Sequence, residues 1–154
     1  MKIIYEIGDL IKSPHVLLLH GANAQGVMGS GVAKAIRDEY PYAYEVYRAK
    51  YIAEGLEVGE VLFVPCDNWI IANAITQEFY GRDGRQYVNY NSINSTMELV
   101  NDFASDHSFS HVAMPLIGAG FGGGSWKIIS EIIESQLINV VPVVYTLDGN
   151  VPIS

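Results

Sequence analysis

Val16-Leu-Leu-Leu-His20-Gly-Ala-Asn23-Ala-Gln-Gly26-Val-Met-Gly29-Ser-Gly31-Val-Ala-Lys-Ala-Ile36 is the stretch on which the fold turns. A short unbroken apolar run, of the kind a strand buried on both faces carries, gives way to glycines and then to helical spacing. Late in the chain the same order returns: Val112-Ala-Met-Pro-Leu-Ile117 leads into Gly118-Ala-Gly120-Phe-Gly-Gly-Gly124 and then Ser125-Trp126. Glycine permits φ > 0 and lets a ligand reach the peptide N–H groups without a Cβ in the way. Placed ahead of a helix N-terminus, such a loop suits an anion. Two of them in one short chain point to one ligand with two phosphates.

Outward from these loops, strands and helices alternate. Lys2 to Glu6 reads as a strand, Gly8-Asp9-Leu10 as a turn, and His15 to His20 as a second strand. Val32 to Tyr40 and Ala43 to Ala53 have helical spacing, interrupted at Pro41 and stopped at Gly55. Glu60 to Pro65 and Trp69 to Thr76, split by Cys66-Asp67-Asn68, read as a hairpin. Ser92 to Ser105 predicts a helix with Asn91 or Ser92 as its cap, and Gly81 to Gly84 a polar loop. His111 to Ile117 is a strand, Trp126 to Leu137 a helix and Val140 to Leu147 a last, β-branched strand. The expectation is a three-layer α/β/α domain over residues 1–154 with a mixed, mostly parallel central sheet. In such sheets ligands bind beyond the carboxyl ends of the strands, where both glycine loops fall.

Composition narrows the function. Of 154 residues, 49% are hydrophobic and 17% charged, with a net charge of −8. That charge opposes an extended nucleic-acid track, since phosphate neutralisation drives such binding. It leaves room for a small anion held by backbone amides. The N-terminal residues lack a signal-peptide pattern and no apolar run reaches bilayer length, so a cytoplasmic protein with no membrane contact is expected, as a monomer. A single cysteine, Cys66, excludes an intrachain disulfide and any paired-thiolate zinc site. No metal and no cofactor is expected.

Two generic nucleotide motifs fail on inspection. Gly118, Gly120 and Gly123 satisfy G-x-G-x-x-G, but the strand Val140 to Thr146 offers no acidic residue for a ribose. Gly26 to Gly31 has P-loop glycine spacing, yet Val32-Ala33 stands where Lys-Ser/Thr is required.

Taken together, His20 to Ile36 and Met114 to Trp126, with Gly8-Asp9-Leu10 after the first strand and Val144-Tyr145-Thr-Leu147 in the last, resemble the macrodomain family of ADP-ribose binders. The resemblance covers nearly the whole chain and implies a ligand lying across the strand ends. It gives the adenine to Asp9 and Leu10. It gives the diphosphate to backbone amides of Gly29, Ser30, Gly31, Val32 and of Gly118, Ala119, Gly120, Phe121, Gly122, with Phe121 over the distal ribose. His20 three residues ahead of Asn23 is similar to the branch of ADP-ribose 1''-phosphate phosphatases, which implies these two as the catalytic groups. The de-ADP-ribosylating branch uses a lysine in a strand-end Ile-Thr-Lys, and its glutamate-specific members an aspartate in loop two. Here those places hold Gln77 and Gly122, and a glutamine forms no Schiff base with an opened ribose.

The resemblance thus implies hydrolysis of ADP-ribose 1''-phosphate to ADP-ribose. Binding of ADP-ribose without catalysis, and de-ADP-ribosylation through a group other than lysine, are the alternatives. An imidazole of near-neutral pKa can activate water, attack phosphorus or protonate the leaving oxygen. With no metal cluster, charge stabilisation falls to loop amides and to Arg82 or Arg85, so turnover should be slow. His15, His107 and His111 read as solvated edge residues, and the tyrosines of residues 40–51 as a helix face packed on the sheet.

Overall fold

A computed structural model describes all residues, 1–154. The chain runs β1 (Ile4–Ile7), a 3-10 turn (Leu10–Lys12), β2 (Leu17–Asn23), α1 (Gly31–Glu39), α2 (Pro41–Glu54), β3 (Val61–Cys66), β4 (Trp69–Gln77), α3 (Tyr90–Asp106), β5 (His111–Met114), α4 (Trp126–Gln136) and β6 (Val141–Thr146). The six strands form one sheet in the order β1-β6-β5-β2-β4-β3. Every pairing is parallel except the β3–β4 hairpin, where Cys66 faces Trp69. The hairpin turns through Asp67 at φ 53°, a left-handed position that aspartate tolerates.

β2 lies in the middle and its triple leucine shows why a continuous apolar run is needed there. Leu17 and Leu19 enter one core with Met97, Val100, Ile129 and Ile133, from α3 and α4. Leu18 enters the other with Ile36 of α1, Ala43 of α2 and Tyr40 at their junction. All three leucines are fully buried, each worth about 1.5–3 kcal/mol by transfer from water. The sheet is therefore covered on both faces, giving a three-layer α/β/α architecture. A third cluster, around Met28, Tyr47 and Ile75, fills the space beneath the first glycine loop.

Several boundaries move from their expected places, each for a local reason. β2 continues past His20 to Asn23, because Gly21 and Ala22 keep pairing with Ala74 and Ile75 of β4. β5 ends at Met114, since Pro115 has no N–H to give a sheet. α3 starts at Tyr90, capped by Asn89 rather than by Asn91 or Ser92: the Asn89 side chain accepts from the Ser92 N–H. His15 and His111 are not separate solvated residues. They are half-buried and stack on each other at 5.3 Å. Burial holds the pKa of His15 below its usual value, the neighbouring His111 adds to this, and Glu6 opposes it. Of the tyrosines, Tyr40 and Tyr47 are buried while Tyr42 is exposed. No helix is long and apolar enough to cross a membrane.

Candidate functional site

The carboxyl ends of β2, β4 and β5 open into a cleft of about 750 Å³, within the range that small-molecule sites occupy. Its walls come from three segments that are distant in sequence. Loop one and the start of α1 supply Gly29, Ser30, Gly31 and Val32; loop two supplies Gly118, Gly120, Phe121 and Gly122; the stretch after β4 supplies Gln77, Tyr80 and Arg82. His20 and Asn23 reach it from β2.

Loop one ends in a helix whose N-terminus is open. Ser30 caps α1 by position, but its hydroxyl makes no capping hydrogen bond, so the first-turn N–H groups are left facing the cleft. These amides sit at the positive end of the helix, where an anion is stabilised. Gly31 has φ +60°, and a Cβ there would lie 3.5 Å from the Phe121 ring of loop two. The two glycine loops thus meet across the mouth.

Loop two is wound on itself by main-chain bonds: Ala119 N–H to the Leu116 carbonyl, Gly123 N–H to Gly120, and Gly124 N–H to Gly118. A Cβ on Gly122 would come within 2.7 Å of the Gly118 carbonyl oxygen, which accounts for a glycine there. Gly120, by contrast, has nothing within 4 Å of where its Cβ would be and lines the open cleft.

Asn23 is 8% exposed and each end of its amide is engaged. Its Nδ2 donates to the Val27 carbonyl at 2.8 Å, and its Oδ1 accepts from the Gln25 N–H and the Tyr47 hydroxyl, both at 3.0 Å. It braces loop one from inside. His20 lies directly opposite Asn73 in the β2–β4 register and is 1% exposed. The Asn73 Nδ2 donates to the Ala43 carbonyl, which turns Oδ1 toward His20 at 2.6 Å and makes Nε2–H the donor. Nδ1 is then an acceptor, buried and without a partner. Burial drives the His20 pKa down to about 4, against the raising effects of Asn73 and of the Gly21 backbone. The ring is therefore neutral near pH 7.

The cleft excludes three of the nominated residues. Asp9 is exposed and its Oδ1 accepts from the Ile11 N–H at 3.0 Å, capping the 3-10 turn. Leu10 is buried in the core beneath α1. Ala119 packs on the opposite core. The cleft also brings in residues that no motif marked, chiefly Tyr80 and Gly81. The signal for them is topological: β4 pairs in parallel with β2, so Gln77 ends beside Asn23. Of all the residues lining the cleft, Arg82 alone carries a permanent charge, and none is an aspartate or glutamate.

An open helix N-terminus and a wound glycine loop, facing each other over the ends of a six-stranded mixed sheet, define a class of anion-binding α/β domain. The Macro domain family model matches residues 19–133, and the chain belongs to that family. It is 46% identical over 49 residues to an ADP-ribose 1''-phosphate phosphatase of Neosartorya fischeri, covering 31% of this chain and 24% of that protein. It is 24% identical to a DNA ADP-ribosyl glycohydrolase of Mycobacterium tuberculosis, over 96% of this chain and 43% of the other. The solved macrodomain of Mycobacterium tuberculosis DarG superposes with a TM-score of 0.82 at 25% identity, covering 93% of this chain and 96% of that one. The chain thus spans about a quarter of the phosphatase's length and less than half of the glycohydrolase's. Both of these relatives are named as hydrolases of ADP-ribose derivatives.

Proposed function

We propose that the protein binds ADP-ribose across the cleft and hydrolyses ADP-ribose 1''-phosphate, slowly, to ADP-ribose and inorganic phosphate. The observation that carries the reading is the lining itself: amides of an uncapped helix and of a glycine loop, one arginine, and no carboxylate. In a chain of net charge −8 a cleft without an acidic group favours an anion. The diphosphate would lie on Gly29 to Val32 and on Gly118 to Gly122, with Phe121 against the distal ribose. The adenine would extend past the cleft toward Asp9, the turn over Leu10 forming its floor. The short match to a phosphatase favours the same substrate.

In the proposed step a water oxygen attacks phosphorus in line as the P–O1'' bond breaks. One of the water's protons passes to the leaving oxygen, which becomes the anomeric hydroxyl, and the other stays on the phosphate. With a pKa of about 4, His20 has no proton to supply at neutral pH and is a weak base, so it serves as a hydrogen-bond acceptor. Orienting the attacking water at Nδ1 is its proposed part, and Asn23 holds loop one, and so the reacting end, in place. The match to a DNA ADP-ribosyl glycohydrolase over 96% of this chain favours the second reading, removal of ADP-ribose from modified DNA or protein. Against it, the cleft has no lysine, and Gln77 donates its amide to the Phe79 carbonyl at 2.7 Å.

The test is phosphate release from ADP-ribose 1''-phosphate by the wild-type protein and by His20→Asn, with ADP-ribose binding measured by calorimetry on both. Release that falls in the variant while binding survives supports the assignment. Binding with no release by the wild type would make the protein a reader of ADP-ribose. Release of ADP-ribose from modified thymidine without phosphatase activity would select the second reading.

A further inference from the structure

We propose that Arg82 sets the specificity of the cleft by clamping the phosphate at the distal end of the ligand, so that ADP-ribose 1''-phosphate is bound in preference to ADP-ribose. The proposal deepens the reading above and rests on it.

The segment after β4 is stitched to loop two. Val88 bridges to Gln77, and the N–H groups of Tyr87 and Val88 both donate to the Gly122 carbonyl, at 2.7 and 3.0 Å. Of the two arginines in that strap, one is paired. Asp83 accepts from the Tyr87 hydroxyl at 2.9 Å and pairs with Arg85 at 3.2 Å. Arg82 has no carboxylate partner. Its guanidinium lies instead 5.0 Å from the centroid of the Phe121 ring.

That ring is the same one that a Cβ on Gly31 would touch, so Phe121 stands between Arg82 and the open N-terminus of α1. Two sources of positive potential, one an exposed side chain and one a fixed set of amides, therefore bracket one end of the cleft. An exposed cation resting on an aromatic face is held weakly. A phosphate monoester offers the planar guanidinium paired, charge-assisted hydrogen bonds that the ring cannot. ADP-ribose presents only a neutral hydroxyl at that end. Arg82 would thus move from Phe121 to the ligand only when the terminal phosphate is there.

The experiment compares wild type, R82A and R82K, measuring KM and kcat for phosphate release from ADP-ribose 1''-phosphate and Kd for ADP-ribose. In R82A the KM for the phosphorylated ligand should rise roughly tenfold, the loss of one charge-assisted contact, while Kd for ADP-ribose changes less than twofold. R82K should recover part of the difference, since lysine keeps the charge but not the paired geometry. Equal weakening of both ligands, or no change in either, overturns the clamp and leaves the phosphatase reading standing. If the wild type releases no phosphate, that reading fails instead. The same three proteins then give the ratio of equilibrium affinities for the two ligands, and a ratio that Arg82 does not alter refutes the proposal.

Discussion

The two glycine loops are held by different means. Loop one is propped from below by side chains: the Asn23 amide, the Tyr47 hydroxyl on both the carbonyl and the Oδ1 of Asn23, and Arg48 on the Gly26 carbonyl at 3.2 Å. Loop two relies on its own backbone and on the strap that donates to Gly122. A side-chain prop can be removed without touching the chain's path; a backbone winding cannot. Loop one should therefore fail by losing stability, and loop two by losing ligand or by not forming.

The sharpest way to break this contrast is Gly120→Val. Its side chain would enter the open cleft rather than the fold, so ADP-ribose binding should fall more than about a hundredfold with the melting temperature unchanged. Calorimetry and a thermal melt on the same sample decide it, and a folded variant that still binds would remove loop two from the site. For loop one, Asn23→Ala leaves the Val27 carbonyl and the Gln25 N–H without their side-chain partner, and should cost about 1–3 kcal/mol in urea unfolding. Little loss would show that loop one is not propped by this amide.

The pH dependence of His20 separates stability from ligand chemistry. Its folded pKa of about 4 lies below the unfolded 6.5, so the unfolded chain binds the extra proton between those values. Stability from this group is complete above about pH 6.5 and is lost as the pH falls toward 4, by roughly 2–3 kcal/mol at pH 4.5. Unfolding at pH 7.5 and 4.5, on wild type and His20→Asn, isolates the effect, which should vanish in the variant. Smallest of all, Asp9→Ala should weaken ADP-ribose by about 1 kcal/mol, since Asp9 is exposed and already engaged by the Ile11 N–H. Unchanged affinity would detach the adenine from this turn.

The order of strands and helices was legible because each glycine loop interrupts a change of period, from the leucines of β2 to the spacing of α1 and from Val112 to the isoleucines of α4. What the sequence could not convey was adjacency. Nothing between Gln77 and Val88 marks Arg82 as a neighbour of Phe121; only the parallel pairing of β4 with β2, and the donation from Tyr87 and Val88 to Gly122, bring them together. Nor does the His20–Asn23 spacing reveal that Asn73, one strand away, would turn the imidazole into a buried acceptor. A motif names residue types, whereas a partner on another strand sets their protonation.

The bond from the strap to loop two makes the protein its own reporter. The amides of Tyr87 and Val88 end on the same carbonyl oxygen, so their exchange with deuterated solvent depends on how often the peptide of Gly122 lets go. A ligand that quiets loop two should slow both amides together, well outside its own footprint, and the start of α3 just beyond them should register the cleft as occupied.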